Sequence, residues 1–258
     1  MIELSRSSVL ITGGSDGIGR GLAERFLAAG SMVLVTGRSR AKLEHAAQEL
    51  PALRTFVNDV SSPAEREVLA KHVHEALPTL NILINNAGIQ RRVPLAADTA
   101  GWHERQQELD TLLAGPVHLN HLLAPLLVAQ PMPSLIVNVT SGGAFVPQVF
   151  APLYSACKAA IHSYTVTLRH ALAATSCRVV ELIPPRVQTS LGNGAASGLG
   201  APLGDFCDSV FAELAAGVAD EIGYGMTANI GRASRQELDG HFQQSVARFA
   251  VQTYAGKR

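Results

Sequence analysis

Short apolar runs along the chain alternate with longer segments in which apolar residues recur every three to four positions. The runs are SVLIT (8–12), SMVLVT (31–36), LRTFV (53–57), NILIN (81–85), SLIVNV (134–139) and RVVELI (178–183). They are rich in β-branched residues and nearly continuous in hydrophobicity, as strands covered on both faces must be. Helical periodicity fills the gaps, over 18–29, 42–50, 63–77, 102–127 and 154–174. Strand and helix in turn predict parallel pairing through right-handed crossovers, hence an α/β fold with a doubly wound parallel sheet and helices on both faces. No linker-like or low-complexity segment interrupts the pattern, so residues 1–258 read as a single domain. Past Ile183 the periodicity loosens into 184–204, rich in Gly, Ala and Ser, with a single charge at Arg186. So long a connection inside a compact domain reads as a substrate loop, at about 188–204. Beyond it the pattern predicts a helix over 205–217, an edge strand over 221–226 and a terminal helix over 235–254.

Composition and charge narrow the choice of partner. The 258 residues are 47% hydrophobic, enough for a large core, and 21 basic residues balance 21 acidic ones. A formal net charge of zero gives no electrostatic reason to expect nucleic acid or an anionic membrane. The charges are unevenly spread: from Asp110 to Lys158 there is no other Asp, Glu, Lys or Arg. Pro116, His118, Asn120, His121, Pro125, Pro131 and Pro133 interrupt that stretch, so it reads as a buried helix and a buried strand, not a membrane span. The start, MIELSRSSVLITGG, lacks the basic and apolar regions of a secretory signal. Cys157, Cys177 and Cys207 have no metal-ligand spacing, and neither do the nine histidines. These features predict a cytoplasmic protein with reduced thiols and no bound metal. His162 and His170 read as packing or helix-surface residues.

The first strand and first helix are joined by TGGSDGIG (12–19). Strand before and helix after are the context a nucleotide-binding loop requires. Gly13 permits the tight turn, Gly17 lets backbone approach a ligand, and Gly19 lets helix pack on strand, with Ser15, Asp16 and Ile18 in the same turn. The helix N-terminus then offers free N–H groups and a partial positive charge to a pyrophosphate. At the end of the second strand, an acidic residue normally holds the ribose hydroxyls of NAD. This chain has Gly37 there, followed by Arg38 and Arg40. Guanidinium groups accept a 2′-phosphate that a carboxylate would repel, so the pattern points to NADP, with NAD the less favoured cofactor.

The uncharged stretch closes on YSACK (154–158). On a helix Tyr154 and Lys158 are i and i+4 neighbours and share a face. A free phenol, with a pKa of about 10, is a poor proton donor or acceptor at neutrality, and a nearby ammonium favours the phenolate. The scarcity of other charges leaves that field unscreened, so the reading expects the Tyr154 pKa to be drawn down.

TGGSDGIG, NNAG (85–88), Ser141 thirteen residues before Tyr154, YSACK and PPRVQT (184–189) occur in that order. Together they resemble the short-chain dehydrogenase/reductase family over nearly the whole chain. NNAGIQ, APLYSACKAAIHS and ELIPPRVQTSLG are similar to a bacterial branch labelled short-chain oxidoreductases of the lipoteichoic acid D-alanylation operon. The resemblance implies a Rossmann-type fold and an NADP-dependent oxidoreductase acting on a small, fairly apolar carbonyl compound or secondary alcohol. It makes Tyr154 the proton donor or acceptor, has Ser141 orient the substrate oxygen, and has Lys158 also hold the nicotinamide ribose. It places Asp59 and Val60 at the adenine, Asn86, Ala87 and Gly88 along the adenosine, and Val187 and Thr189 at the carboxamide. It further implies a homodimer or homotetramer built on the helices at about 102–127 and 154–174.

Two positions depart from the family pattern. Pro185 stands where a glycine usually follows the proline, which stiffens the segment and removes an N–H donor. In DTLLAG (110–115), Leu112 occupies the place of an asparagine that in the family holds a water joining the lysine to solvent; Asn120, more than two turns on, does not read as its substitute. Leu112 keeps a second reading open, a non-catalytic NADP-binding redox sensor or scaffold. The expected substrate wall is GAFVPQVFAP (143–152), with Phe145, Val146, Val149 and Phe150. Arg91 and Arg92 read as facing solvent.

Overall fold

The computed structural model describes residues 3–191 and 199–254. Its seven strands are β1 Ser8–Thr12, β2 Met32–Gly37, β3 Arg54–Val57, β4 Ile82–Asn85, β5 Ser134–Val139, β6 Cys177–Ile183 and β7 Glu221–Gly223. They form one sheet in the order β3-β2-β1-β4-β5-β6-β7, every pair parallel. The chain winds outward from β1 through β2 to β3, then restarts at β4 on the other side of β1. That reversal opens a crevice at the carboxyl ends of β1 and β4, where ligands of such sheets bind. This is the doubly wound, Rossmann-type α/β architecture.

Alternation along the strands divides the core in two. Val9 and Ile11 of β1 face one side with Val33, Val35 and Ile84, packed under α1 Gly17–Ala28 and α7 Leu203–Ala216 by Phe26, Phe206 and Val210. Leu10, Leu34 and Leu83 face the other side with Leu119, Leu123 and Leu127 of α5 Gly115–Val128 and Leu69 and Val73 of α3 Pro63–Ala76. Helix starts are set by side chains: Ser39 caps α2 Arg40–Glu49 and Ser62 caps α3, each accepting from the N–H three residues on.

Several boundaries differ from the sequence expectation. The helix expected over 102–127 is α4 Trp102–Leu109 and α5, joined by the π-helical turn Asp110–Ala114, where the Thr111 hydroxyl donates to the Gln107 carbonyl at 2.7 Å. The whole segment Trp102–Val128 is long and apolar enough to cross a membrane by length and composition, yet its leucines 119, 123 and 127 lie in the core. The helix expected from 154 starts two residues earlier, on Pro152, and runs to Leu172 as α6. β7 stops at Gly223, against which the Thr227 carbonyl packs too closely for any side chain. The terminal helix, α8 Arg235–Arg248, ends short of 254 because Phe249 turns to an extended backbone and sets its ring on Phe150, centroids 4.7 Å apart. Of the expected substrate loop, 192–198 lie outside the described residues; its neck is tied by a parallel bridge between Val187 and Ala201.

Candidate active site

The glycine loop between β1 and α1 forms the floor of the crevice. Gly13 has φ +65°, and a Cβ there would stand 2.7 Å from the Ala87 backbone, so both turn and close approach demand glycine. The facing turn after β4 is held by Thr12, whose Oγ1 accepts from the N–H groups of Asn86 and Ala87, both at 3.1 Å. Asn86 answers by donating from Nδ2 to the carbonyls of Thr12 and Gly13. Asp16 caps α1, accepting from the Gly17 N–H at 2.7 Å; Lys42 (3.0 Å) and the Ser190 hydroxyl (2.8 Å) bond its other oxygen. Burial pushes this carboxyl up, but the Lys42, Ser190 and Gly17 hydrogen bonds prevail and hold it below the usual carboxylate range. Ser190 thereby links the segment after β6 to the glycine loop.

A cleft of about 1360 Å³ runs from this floor to the first turns of α6. It is lined at one end by Gly13, Ser15, Asp16, Gly17, Ile18, Arg38, Asp59, Val60, Asn86, Ala87, Gly88 and Thr189, the last against Gly17, and also by Ser141, Phe150, Tyr154, Lys158 and Val187. Gly19 lies beneath the floor, where a Cβ would stand 2.4 Å from the Asn86 amide. Arg40, the first residue of α2, is exposed and outside the lining. Phe145 and Val149 also lie outside it; Phe145 instead packs edge-on against His162, centroids 4.7 Å apart. The His162 Nδ1 in turn lies within hydrogen-bond distance, 2.8 Å, of Glu181, fully buried in β6, a contact that periodicity did not reveal.

Ser141 follows β5, and its Oγ accepts from the Gly143 N–H at 3.0 Å while hydrogen-bonding the Tyr154 phenol. Tyr154 and Lys158 stand one turn apart on α6, 6% and 5% exposed. The Lys158 Nζ donates to the Val139 carbonyl at 2.7 Å and lies 5.7 Å from the Tyr154 ring centroid. Burial pushes the Lys158 ammonium down to about 8. The phenol is not drawn down by the surrounding side chains: burial, opposed by the Ser141 hydrogen bond and assisted by Glu108, pushes it up to about 12. The expected uncharged wall is therefore incomplete. Glu108 of α4, 2% exposed, accepts from the Arg91 N–H at 3.3 Å, and its own carboxyl is pushed up by burial. It precedes the uncharged stretch by two residues, on a helix that packs against α6.

Leu112 is buried against Ala151, Tyr154 and Cys157. It also lines a cavity of about 10 Å³ beneath Lys158, together with Asn85, Thr12, Thr111 and Val139. That is the room of a single water. Asn85 Oδ1 is buried without a hydrogen-bond partner among the described residues, while its Nδ2 donates to Asn120 at 2.8 Å and Asn138 at 2.9 Å. Asn120, remote along the helix, is thus joined to the residue lining the lysine cavity.

Sequence reasoning also missed contributors that only tertiary structure places at the cleft: Lys42, Arg186, and His241, Gln244, Arg248 and Phe249 from α8 and its end. Arg92 belongs with them, since it lines the cleft with its guanidinium 3.9 Å above the Phe150 ring, whereas Arg91 pairs with Glu104 at 2.7 Å.

Sheet order, glycine loop and the Ser141–Tyr154–Lys158 wall together describe a dinucleotide-dependent oxidoreductase scaffold, and comparison with known proteins agrees. The family described as short chain dehydrogenase matches residues 7–199, and the chain belongs to it. The uncharacterized oxidoreductase DltE of Bacillus subtilis (strain 168) is 44% identical over 190 residues, 74% of this chain and 75% of that protein. Sulfoacetaldehyde reductase 2 of Chromohalobacter salexigens is 33% identical over 186 residues, 70% of this chain and 73% of the relative. A short chain dehydrogenase of Burkholderia cenocepacia J2315, solved in complex with NADP, superposes with a TM-score of 0.81 at 25% identity, covering 93% of this chain and 99% of that one. The protein is an oxidoreductase of this family, and the scaffold is one that takes a nicotinamide cofactor.

Proposed function

We propose that the chain reduces a small carbonyl compound, or oxidises the corresponding secondary alcohol, with NADP(H), and that Tyr154 passes the proton. The meeting of Ser141, Tyr154 and Lys158 on one wall of a single cleft carries this reading. The other end of the cleft fits the dinucleotide: Gly13 leaves a cradle that a Cβ would fill, and the N-terminus of α1 opens onto it at Gly17. Gly37 in place of an acid and Arg38 on the cleft wall support NADP over NAD. Bound there, NADP(H) supplies or takes up the hydride.

The chain's own residues do the rest. At neutral pH a phenol near 12 holds its proton, so Tyr154 is poised as an acid, the form that carbonyl reduction needs. Ser141 bonds the same hydroxyl and would position the substrate oxygen beside it. Lys158, an ammonium below pH 8, supplies the positive charge that stabilises the phenolate once the proton has left. Val146, Phe150 and Phe249 give the cleft apolar surface for substrate carbon and against water. One relative is named for sulfoacetaldehyde, itself a small carbonyl compound. We further propose a homo-oligomer through α4, α5 and α6, where Trp102 and Val166 remain exposed; a monomeric mass by light scattering would contradict it.

A panel of small ketones and aldehydes with NADPH, run on wild type and Tyr154→Phe, tests the reading. Turnover that falls about 100-fold or more in Tyr154→Phe while NADPH still binds is expected. Equal rates in both proteins would overturn it.

A further inference from the structure

The two ends of the cleft differ in charge. Its only acidic lining residues among those described, Asp16 and Asp59, belong to the nucleotide end, and Asp16 is already bonded by Lys42. The end beyond Tyr154 is lined by Arg92, Arg186, Arg248 and His241, with no carboxylate among the described lining residues. Arg92 is the most closely built in. Its guanidinium carbon lies over Phe150, 3.9 Å from the ring centroid, and Phe150 packs against the cluster that buries Tyr154. Phe249, the neighbour of Arg248, covers Phe150 edge-on at 4.7 Å. Arg92 and Arg248 therefore flank one aromatic platform from two different elements.

We infer that the substrate of this oxidoreductase carries an anionic group, a carboxylate, sulfonate or phosphate, which the Arg92 guanidinium binds at the end of the cleft beyond Tyr154 while the carbonyl carbon stays beside Tyr154. The inference rests on the function proposed above and adds the substrate class to it. Partial burial, with the Arg186 charge adding to it, disfavours the charged form of Arg92, so an anion bound to the Arg92 guanidinium offsets that penalty. The ring beneath Arg92 holds the guanidinium at this wall, and its forked donors suit paired hydrogen bonds to two oxygens. The cation-only lining also raises the local concentration of small anions at the mouth. Gln90 and Gln148, hydrogen-bonded to each other at 2.9 Å on the same wall, provide amide donors close to the platform.

Matched pairs of carbonyl compounds test this: succinic semialdehyde against butanal, and levulinate against its methyl ester, each with NADPH. Wild type is expected to prefer the anionic member of each pair. Arg92→Gln is expected to raise KM for that member about 10- to 100-fold and leave the neutral member within about twofold, with Arg92→Lys between the two. Arg248→Gln, at an exposed position that cannot endanger the fold, is expected to shift KM in the same direction by less. Equal use of both members by wild type, or a loss in Arg92→Gln confined to NADPH affinity, would overturn the inference while leaving the proposed function standing. If no member of the panel turns over, the proposed function fails and calorimetry of the NADPH-loaded protein with ethanesulfonate and with propionate decides the inference alone. Binding in wild type that is lost in Arg92→Gln upholds the anion site; no binding, or equal binding, overturns it.

Discussion

Lys158 is the group whose burial the protein feels most directly, and its removal should show this in stability. Its ammonium is 5% exposed and keeps one protein acceptor, the Val139 carbonyl. Burial lowers its pKa from 10.5 to about 8. The unfolded chain therefore binds a proton that the folded chain releases between pH 8 and 10.5, so the contribution of Lys158 to stability rises with pH across that window. Below pH 8 the full penalty applies, about 3 kcal/mol at about 1.4 kcal/mol per pKa step. Replacing the side chain by methionine removes the penalty but leaves the Val139 carbonyl without its donor, a loss of about 1–3 kcal/mol that does not depend on pH. The net change at any single pH is thus a poor test, while its pH dependence is a clean one. Urea unfolding of wild type and Lys158→Met at pH 7 and pH 10 should show the difference in stability shifting in favour of wild type by about 2–3 kcal/mol at the higher pH. Tyr154, with its folded-state pKa raised to about 12, destabilises the folded state above pH 10, but both proteins contain it and its effect largely cancels. A stability difference that stays constant between the two pH values would refute a buried, depressed lysine.

Other predictions follow from single contacts. Glu108→Gln removes a negative charge that raises the Tyr154 phenol, so the alkaline limb of the kcat/KM profile should move to lower pH; an unmoved or raised limb would contradict the electrostatic link. Arg38→Asp should weaken NADPH binding about 10- to 100-fold relative to NADH, measured by cofactor fluorescence titration. Gly13→Ala forces a Cβ to within 2.7 Å of the Ala87 backbone at φ +65°, and should lower stability by about 1–3 kcal/mol and weaken cofactor binding together. Leu112→Asn puts an amide against Ala151, Tyr154 and Cys157, and thermal melting should show a loss of about 1–3 kcal/mol.

Most strands were legible because burial leaves their runs largely apolar; β3, exposed at Arg54, Thr55 and Val57, and the short edge strand β7 are the exceptions, yet all seven stand within three residues of the expected positions. The start of α3 at Pro63, behind its Ser62 cap, stands where periodicity placed it, whereas α2 starts at Arg40, two residues before the expected position. The π turn at Asp110–Ala114 was not legible, since its extra residue breaks a helix without any glycine or proline in the turn itself. The chain neighbourhood of Tyr154 shows no charge, yet Glu108 reaches it from another helix, so the direction of the phenol shift could not be read from local composition. The far end of the cleft was the least legible part. Arg92 and Arg248 look like solvated surface residues along the sequence, and only the stacking of Phe150 and Phe249 brings them to one wall.

The central claim is that a hydride passes between the cofactor and a carbonyl carbon held beside Tyr154. NADPH deuterated at the transferring position, incubated with the protein and the carbonyl panel, measures this directly by mass spectrometry of the alcohols formed. Deuterium on the carbinol carbon of at least one product, lost with Tyr154→Phe, is the predicted result. NADPH that binds but transfers no label to any compound would contradict it.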